Sequence, residues 1–148
     1  MNESKPVMVD TGGFYAVYDE DDEEHERADA VFRAIAEGDL AYSPVYTHRY
    51  VLSELATLLL YRDSHATAVA ALDEILGSGF RVLGLDGDSF ERARSSFEKY
   101  DDQTISYVDH ITATVAEDHG VEHVMTFDDD FRSLGFSLVP EDTVGFGN

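Results

Sequence analysis

The chain has no cysteine, only two lysines and no long apolar run, and each absence excludes a class of protein. Without cysteine, disulfide bonds and thiolate metal sites are excluded. No apolar stretch approaches the ~20 residues that span a bilayer. The N-terminus lacks the basic and apolar regions of a secretory signal. These absences predict a cytoplasmic protein with no membrane partner.

Positive charge is also scarce, because 31 acidic residues face 10 lysines and arginines and the net charge is −21. The acidic residues are spread along the chain, which indicates adaptation to a salt-rich cytoplasm. At ~1 M salt the Debye length is only ~3 Å, so self-repulsion is largely screened. The alternative is an acidic surface that recruits basic partners. Either way, no basic patch for nucleic acid is evident.

Length and apolar content predict one domain, residues 1–148, with a substantial core. Short apolar runs alternate with helical periodicity, which predicts an α/β fold with a central, mostly parallel sheet of four to five strands and helices on both faces. A helix begins near Phe14, and an acidic loop follows it at 19–24. Strands are predicted at 7–10, 41–43 (ended by Pro44), 80–85, 121–127 and 136–139, and helices at 24–37, 47–61, 66–76, 88–99 (capped by Asp88 or Ser89) and 106–119.

Two acids directly follow apolar strands. Asp10 comes after Val7-Met8-Val9, and Asp128 comes after the strand "VEHVMTF". In parallel α/β sheets, ligands bind at the carboxyl ends of strands. The two carboxylates are therefore expected at one edge of the sheet.

Two further acids lie in apolar helical surroundings. Glu54 sits in "YVLSELATLLLY", a helix apolar nearly all round and therefore predicted to be buried, and Asp109 sits in "TISYVDHITATVA". Burying an unpaired carboxylate costs several kcal/mol, and no basic residue occupies the matching helical position. A hard divalent cation could neutralise all four acids together. The alternative is four separate structural acids, with Asp10 and Asp128 as helix caps and the other two at polar rims.

Other chemistries have weaker support. All six histidines are expected at the surface or in hydrogen bonds, so zinc is not expected. Asp-Thr-Gly-Gly at 10–13 resembles a phosphate loop of sugar kinases, but 148 residues cannot supply their two large domains. A receiver domain needs a lysine at a strand end, and Lys99 is not in such a position.

Three segments together resemble the PIN-domain family, and within it the VapC-type toxins. They are "VMVDTGGFYAV", "THRYVLSELATLL" and "TISYVDHITATVAEDHGVEHVMTFDDDF". Their order and spacing match over residues 7–139, and the resemblance implies a PIN-like three-layer sandwich. Gly12 departs from the pattern because many relatives have a small hydroxyl residue there, which is expected to loosen the turn. The run 128–130 offers a choice of fourth acid, of which Asp128 is favoured.

The resemblance implies a Mg²⁺- or Mn²⁺-dependent endoribonuclease, the toxin of a toxin–antitoxin pair, which commonly forms a homodimer. Its metal and catalytic residues would be Asp10, Glu54, Asp109 and Asp128. Residues expected to orient carboxylates or waters are Thr11, Ser106, Thr126 and Asp130, and those expected to hold RNA are Arg49 and Arg132, unless these arginines form surface ion pairs instead. The main alternative is a catalytically silent PIN-like module that binds a basic partner peptide, and a DNA nuclease ranks last.

Overall fold

The structure, a computed structural model, describes residues 3–143. Its strands are β1 (Lys5–Val9), β2 (Tyr42–His48), β3 (Arg81–Leu83), β4 (His123–Met125) and β5 (Ser137–Val139). Its helices are α1 (Thr11–Tyr18), α2 (His25–Glu37), α3 (Arg49–Arg62), α4 (His65–Leu76), α5 (Gly87–Lys99), α6 (Tyr107–Asp118) and α7 (Asp130–Ser133). Within the described residues, no helix is long and apolar enough to cross a membrane.

The five strands form one sheet in the order β3-β2-β1-β4-β5, and every neighbouring pair is parallel. The predicted parallel α/β sheet is thereby confirmed. Val9 pairs with Met125, so β1 and β4 end side by side at the centre of the sheet. Residues that follow these two strands therefore meet at one carboxyl edge.

Alternation along β1 divides the core between the two faces of the sheet. Val7 and Val9 belong to one apolar cluster, which contains buried residues of α1 to α4. Met8 belongs to the other, which contains buried residues of α5, α6 and α7. All three strand residues are fully buried, as expected for a parallel sheet covered on both faces. The result is the predicted three-layer sandwich.

The β2–α3 boundary differs from its prediction. The strand does not end before Pro44 but continues to His48, so the helix begins at Arg49 and not at Thr47. Proline lacks a ladder N–H. The pairing register of β1 with β2 shifts between Lys5 and Val7, beside this proline, and the strand resumes beyond it. Thr47 and His48, which were predicted to begin the helix, are therefore the last two residues of a central strand.

Helices α1 and α5, unlike α3, begin earlier than predicted. Helix α1 begins at Thr11 rather than Phe14, because Asp10 caps it. Helix α5 is capped by Asp86, whose carboxylate accepts the N–H of Ser89 at 2.8 Å, and not by Asp88 or Ser89. The acidic segment 19–24 is irregular, as predicted.

Burial was predicted less well than secondary structure. Helix α3 was expected to be buried all round, yet Tyr50, Leu60 and Tyr61 are 41%, 45% and 82% exposed. That expectation was wrong because the neighbouring elements of the described structure leave one face of α3 exposed. Conversely, His48 is buried despite its polar sequence context, and His110 is buried too; both rings make the hydrogen bonds that were one of the two roles expected for the histidines.

Candidate functional site

Asp10 is held at the junction between β1 and α1. Its Oδ1 accepts the Gly13 N–H at 2.7 Å, which caps α1, and its Oδ2 accepts the Thr126 hydroxyl at 2.8 Å. The side chain is buried, and the residue is 4% exposed. Each oxygen thus has one protein donor, whereas an ionised carboxylate offers about four acceptor positions.

Burial raises the pKa of Asp10 from 3.8 to about 7. The hydrogen bonds from Gly13 and Thr126 lower this pKa, and the negative charges of Asp109 and Asp128 raise it. Asp10 is therefore poised to take up or release a proton near neutral pH. A nearby cation would favour the ionised form.

Asp109 lies in the first turn of α6. Ser106 caps this helix, and its hydroxyl accepts the Asp109 N–H at 3.1 Å. Burial raises the pKa of Asp109 to about 7, and the charges of Asp128, Glu54 and Asp130 add to the increase. A hydrogen bond with the Ser106 side chain acts in the opposite direction.

Asp109, Asp128 and Asp130 form a compact carboxylate cluster. One oxygen from each lies within 4.8 Å of the other two. The turn after β4 is ordered by the Asp130 N–H, which donates to Asp128 Oδ1 at 2.9 Å, and by the Asp128 N–H, which donates to Thr126 Oγ1 at 3.0 Å. Asp128 thus orders this turn as well as belonging to the cluster, whereas the N-cap position of α7 is Asp129, which makes no side-chain capping bond.

Asp10 and Glu54 lie next to this cluster but outside its 4.8 Å limit. The charge of Asp109 acts on Asp10, and the charge of Glu54, which is half-buried on α3, acts on Asp109. Four acids predicted from sequence, together with Asp130, are therefore brought to one edge of the sheet. Within residues 3–143, no lysine or arginine forms an ion pair with any of the five.

The donor set fits a hard divalent cation. It consists of carboxylate oxygens, which Mg²⁺ and Mn²⁺ prefer. As separate structural acids these residues would each need neutralising partners, but each oxygen of Asp10 accepts a single hydrogen bond, and the turn bond to Asp128 uses only its Oδ1. In addition, the buried hydroxyl of Thr11, which directly follows Asp10, has no hydrogen-bond partner among the residues that the structure describes. The site therefore combines excess negative charge with oxygen atoms that are still available as metal ligands.

The two glycines after Asp10 have different roles. A Cβ on Gly13 would lie 2.6 Å from the Met125 carbonyl oxygen and 2.7 Å from its sulfur, so only glycine lets α1 approach β4. A Cβ on Gly12 would lie 3.6 Å from Asp10 Oδ1, an ordinary contact. The turn depends on Gly13, a requirement that the sequence alone did not indicate.

The two candidate arginines differ in their surroundings. Arg132 donates from Nη1 to both carboxylate oxygens of Asp142 at 3.0 Å. Arg49 is exposed at the start of α3 and forms no ion pair within the described residues. Arg132 thus has the surface pairing that was the alternative for both.

Sequence reasoning missed two buried polar residues close to this site, His48 and Thr112. Their side chains are hydrogen-bonded to each other at 2.8 Å, and both residues are fully buried. His48 caps α3 by accepting the Val51 N–H, but histidine is not one of the usual N-cap residues, so the sequence did not signal this role. Nothing in the sequence pairs it with Thr112.

Known proteins are similar to this chain in both sequence and fold. The PIN domain family model matches residues 7–137. Over 132 residues the chain is 31% identical to the 23S rRNA-specific endonuclease VapC20 of Mycobacterium tuberculosis, which covers 88% of this chain and 95% of that protein. The crystal structure of M. tuberculosis VapC20, described as a sarcin–ricin loop cleaving toxin, matches with a TM-score of 0.79 at 30% identity, covering 88% of this chain and 96% of that one. VapBC-5 of M. tuberculosis, from the VapBC family of toxin–antitoxin systems, matches with a TM-score of 0.57 at 21% identity, covering 90% and 97%. The chain belongs to the PIN-domain family and is a VapC-type member of it.

Proposed function

We propose that this protein is the toxin of a toxin–antitoxin pair and that it hydrolyses RNA with the help of Mg²⁺ or Mn²⁺. One observation carries the proposal: Asp109, Asp128 and Asp130 converge beside buried Asp10 in a VapC-type PIN fold, and no lysine or arginine of residues 3–143 forms an ion pair with them. A catalytically silent module for a basic peptide would not need oxygen donors gathered this tightly.

The cation would be held by Asp109, Asp128 and Asp130, with Asp10 and Glu54 beside them. When bound, the cation supplies positive charge that activates water for attack on phosphorus and stabilises the charge that develops on the phosphate. The protein's own contribution is to fix the donors. Gly13 N–H and Thr126 Oγ1 hold the two oxygens of Asp10, and the Asp130 N–H holds Asp128 Oδ1.

Proton release is part of the binding event. The pKa values of Asp10 and Asp109 are both raised to about 7, so each retains a proton through much of the acidic range. Coordination requires an ionised Asp109, and the nearby positive charge favours the ionised form of Asp10, so binding displaces both protons. We expect cation affinity to rise with pH until both groups are ionised.

RNA is proposed as the substrate because of the relatives, since water attack on phosphorus needs no 2′-hydroxyl. VapC20 is named for 23S rRNA and for the sarcin–ricin loop. A structured ribosomal RNA loop is therefore the first substrate to test. Arg49, exposed at the start of the Glu54 helix, is our candidate phosphate contact.

The partners proposed are an antitoxin and a second copy of this chain. VapBC-5 belongs to a family of toxin–antitoxin systems, and the acidic edge of the sheet offers a site for basic antitoxin side chains. We also propose a cytoplasmic, salt-adapted protein, because a net charge of −21 is best tolerated where salt screens it.

The decisive experiment compares the wild type with Asp10→Asn and Asp109→Asn in molar salt containing Mn²⁺. The substrates are intact 23S rRNA and a hairpin that carries the sarcin–ricin loop. The wild type should cleave, each variant should lose at least about 100-fold in rate, and chelation by EDTA should abolish cleavage. Asp73→Asn is the matched control, since Asp73 is an exposed acid on α4.

Each competing function predicts a different result. Equal and negligible cleavage by the wild type and Asp10→Asn, combined with binding of a basic peptide, would support the silent module. Preference for flapped or nicked DNA over RNA would support a DNA nuclease. Cleavage that persists in EDTA would contradict the metal dependence.

A further inference from the structure

We propose that His48, acting through Thr112, is a positioning residue that sets helix α3, which carries Glu54, against helix α6, which carries Asp109. This inference rests on the proposed function, because the position of these acids matters only if they hold a cation together. It concerns a buried contact that neither acid makes itself.

His48 lies where three elements meet. It is the last residue of β2 and the N-cap of α3, and its Nδ1 accepts the Val51 N–H at 3.4 Å. Its Nε2 lies 2.8 Å from Oγ1 of Thr112, one turn after Asp109 on α6. One imidazole therefore connects the first turn of the Glu54 helix to the helix of Asp109.

The direction of each hydrogen bond is fixed by its neighbours. Thr112 Oγ1 donates to the Val108 carbonyl oxygen at 2.9 Å, so it cannot also donate to His48. His48 Nε2 must therefore carry the proton and donate to Thr112, which leaves Nδ1 free to accept from Val51. Both donor–acceptor requirements select the same neutral tautomer.

The surroundings keep this tautomer in place. His48 and Thr112 are fully buried, and burial lowers the pKa of His48 to about 4. At neutral pH the ring is therefore uncharged and its two nitrogens are distinct. With the proton on the other nitrogen, buried polar groups would be left without hydrogen-bond partners, which is unfavourable.

Thr47, the residue before His48, supports the positioning role proposed for the end of β2. Thr47 Oγ1 donates to the Val9 carbonyl oxygen at 3.1 Å, and Val9 immediately precedes Asp10. The last two residues of β2 thus bond to the segments that carry Asp10 and Asp109, while α3 leads from the same point to Glu54. The end of β2 is a common anchor for three of the acids.

The test is Mn²⁺ affinity measured by calorimetry on the full chain, which does not require activity. Thr112→Val removes the hydroxyl at nearly constant volume, whereas Thr112→Ser keeps it. His48→Asn keeps an acceptor at the Nδ1 position but cannot reach Thr112. We expect Thr112→Val and His48→Asn each to weaken Mn²⁺ binding about 10-fold, Thr112→Ser to bind like the wild type, and the double variant to be no weaker than either single one.

Two controls separate positioning from stability. Ser64→Ala removes the cap of α4, away from the acids, so it should lower thermal stability without changing Mn²⁺ affinity. Nitrogen-15 NMR of the wild type reports the His48 tautomer directly and does not depend on any variant folding. We expect the proton on Nε2.

The outcomes are distinguishable. If the wild type itself fails to bind Mn²⁺, the proposed metal site and this inference fall together. If the wild type binds and Thr112→Val binds equally well, only this inference is overturned. A proton on Nδ1 of His48 at neutral pH would also overturn it.

Discussion

Thr126 Oγ1 donates a 2.8 Å hydrogen bond to Oδ2 of Asp10, joining residues 116 positions apart in the chain. The same hydroxyl oxygen accepts the Asp128 N–H at 3.0 Å. One buried side chain therefore orients an acid after β1 and also fixes the turn after β4. This bond lowers the pKa of Asp10 against the effect of burial.

Replacing Thr126 should accordingly change how Asp10 titrates. In Thr126→Val the carboxylate loses a donor, so its pKa should rise above its present value of about 7. Mn²⁺ would then have to displace a more tightly held proton, and we expect binding to need higher pH and to weaken about 10-fold at pH 7. Calorimetry over a range of pH values measures this. Thr126→Ser, which retains the hydroxyl, is the control, and identical pH profiles for the valine variant and the wild type would contradict the prediction.

Asp10 should destabilise the metal-free fold at alkaline pH. Its pKa rises from 3.8 in the unfolded chain to about 7 in the fold, so the folded state binds more protons between these values. The stabilising contribution is complete below pH 3.8 and is lost as pH rises through about 7. The difference corresponds to about 4 kcal/mol at pH 8. Asp10→Asn should therefore be more stable than the wild type at pH 8 in EDTA, although inactive.

Urea unfolding at pH 5 and pH 8 measures this effect. Asparagine keeps an oxygen acceptor for the Gly13 N–H, so the helix cap survives the change. Asp73→Asn should leave the pH dependence unchanged. An Asp10→Asn variant with the same loss of stability between the two pH values as the wild type would show that Asp10 is not the group responsible.

His48 should have the opposite pH dependence. Its pKa falls from 6.5 in the unfolded chain to about 4 in the fold, so the unfolded state binds more protons in this window. Stability is therefore lost as pH falls from 6.5 to 4, by about 3 kcal/mol. His48→Asn should remove this part of the acid sensitivity, and His65→Asn, at an exposed histidine of α4, should not. Unfolding free energies at several pH values below 7 decide the matter, and equal acid sensitivity in all three proteins would refute it.

Site residues were predicted best from the sequence where their positions follow from the topology of a parallel sheet. Asp10 and Asp128 could be placed together because carboxyl ends of parallel strands share one edge, and the strands were visible as apolar runs. The inclusion of Asp130 could not be settled from a run of three aspartates, because the turn after β4 decides which carboxylates point together. The place of each acid in the chemistry stays a prediction.

Features that depend on strand register or on a particular side-chain contact between distant segments could not be predicted. Pro44 suggested a strand end, but the shifted register of β1 with β2 allows β2 to continue. His48, which was predicted to lie in a helix, is therefore the buried last residue of a central strand. The polar neighbours of His48 in sequence gave no indication of Thr112, which is 64 residues away.

Gly13 and Gly12 should respond very differently to alanine. A Cβ at Gly13 would meet the backbone oxygen of Met125 at 2.6 Å, so α1 and β4 would have to separate. We expect Gly13→Ala to destabilise the fold by about 3 kcal/mol or more and to displace Asp10. Gly12→Ala meets only an ordinary contact and should be neutral or stabilising by up to about 1 kcal/mol. Thermal unfolding of the two variants compares them directly, and similar melting temperatures would contradict the geometry of this turn.

The net charge of −21 should make stability strongly dependent on salt. Raising NaCl from about 0.1 M to about 2 M shortens the Debye length from about 10 Å to below 3 Å, which weakens repulsion between surface acids. We expect the melting temperature to rise by about 5 °C or more.

Salt also strengthens apolar burial, so a charge variant is needed to separate the two effects. Glu20→Gln combined with Glu23→Gln removes two exposed charges from the acidic loop between α1 and α2. If repulsion is the cause, this variant is more stable than the wild type at low salt and equally stable at high salt. A gain in stability that is the same at both salt concentrations would exclude screening as the explanation.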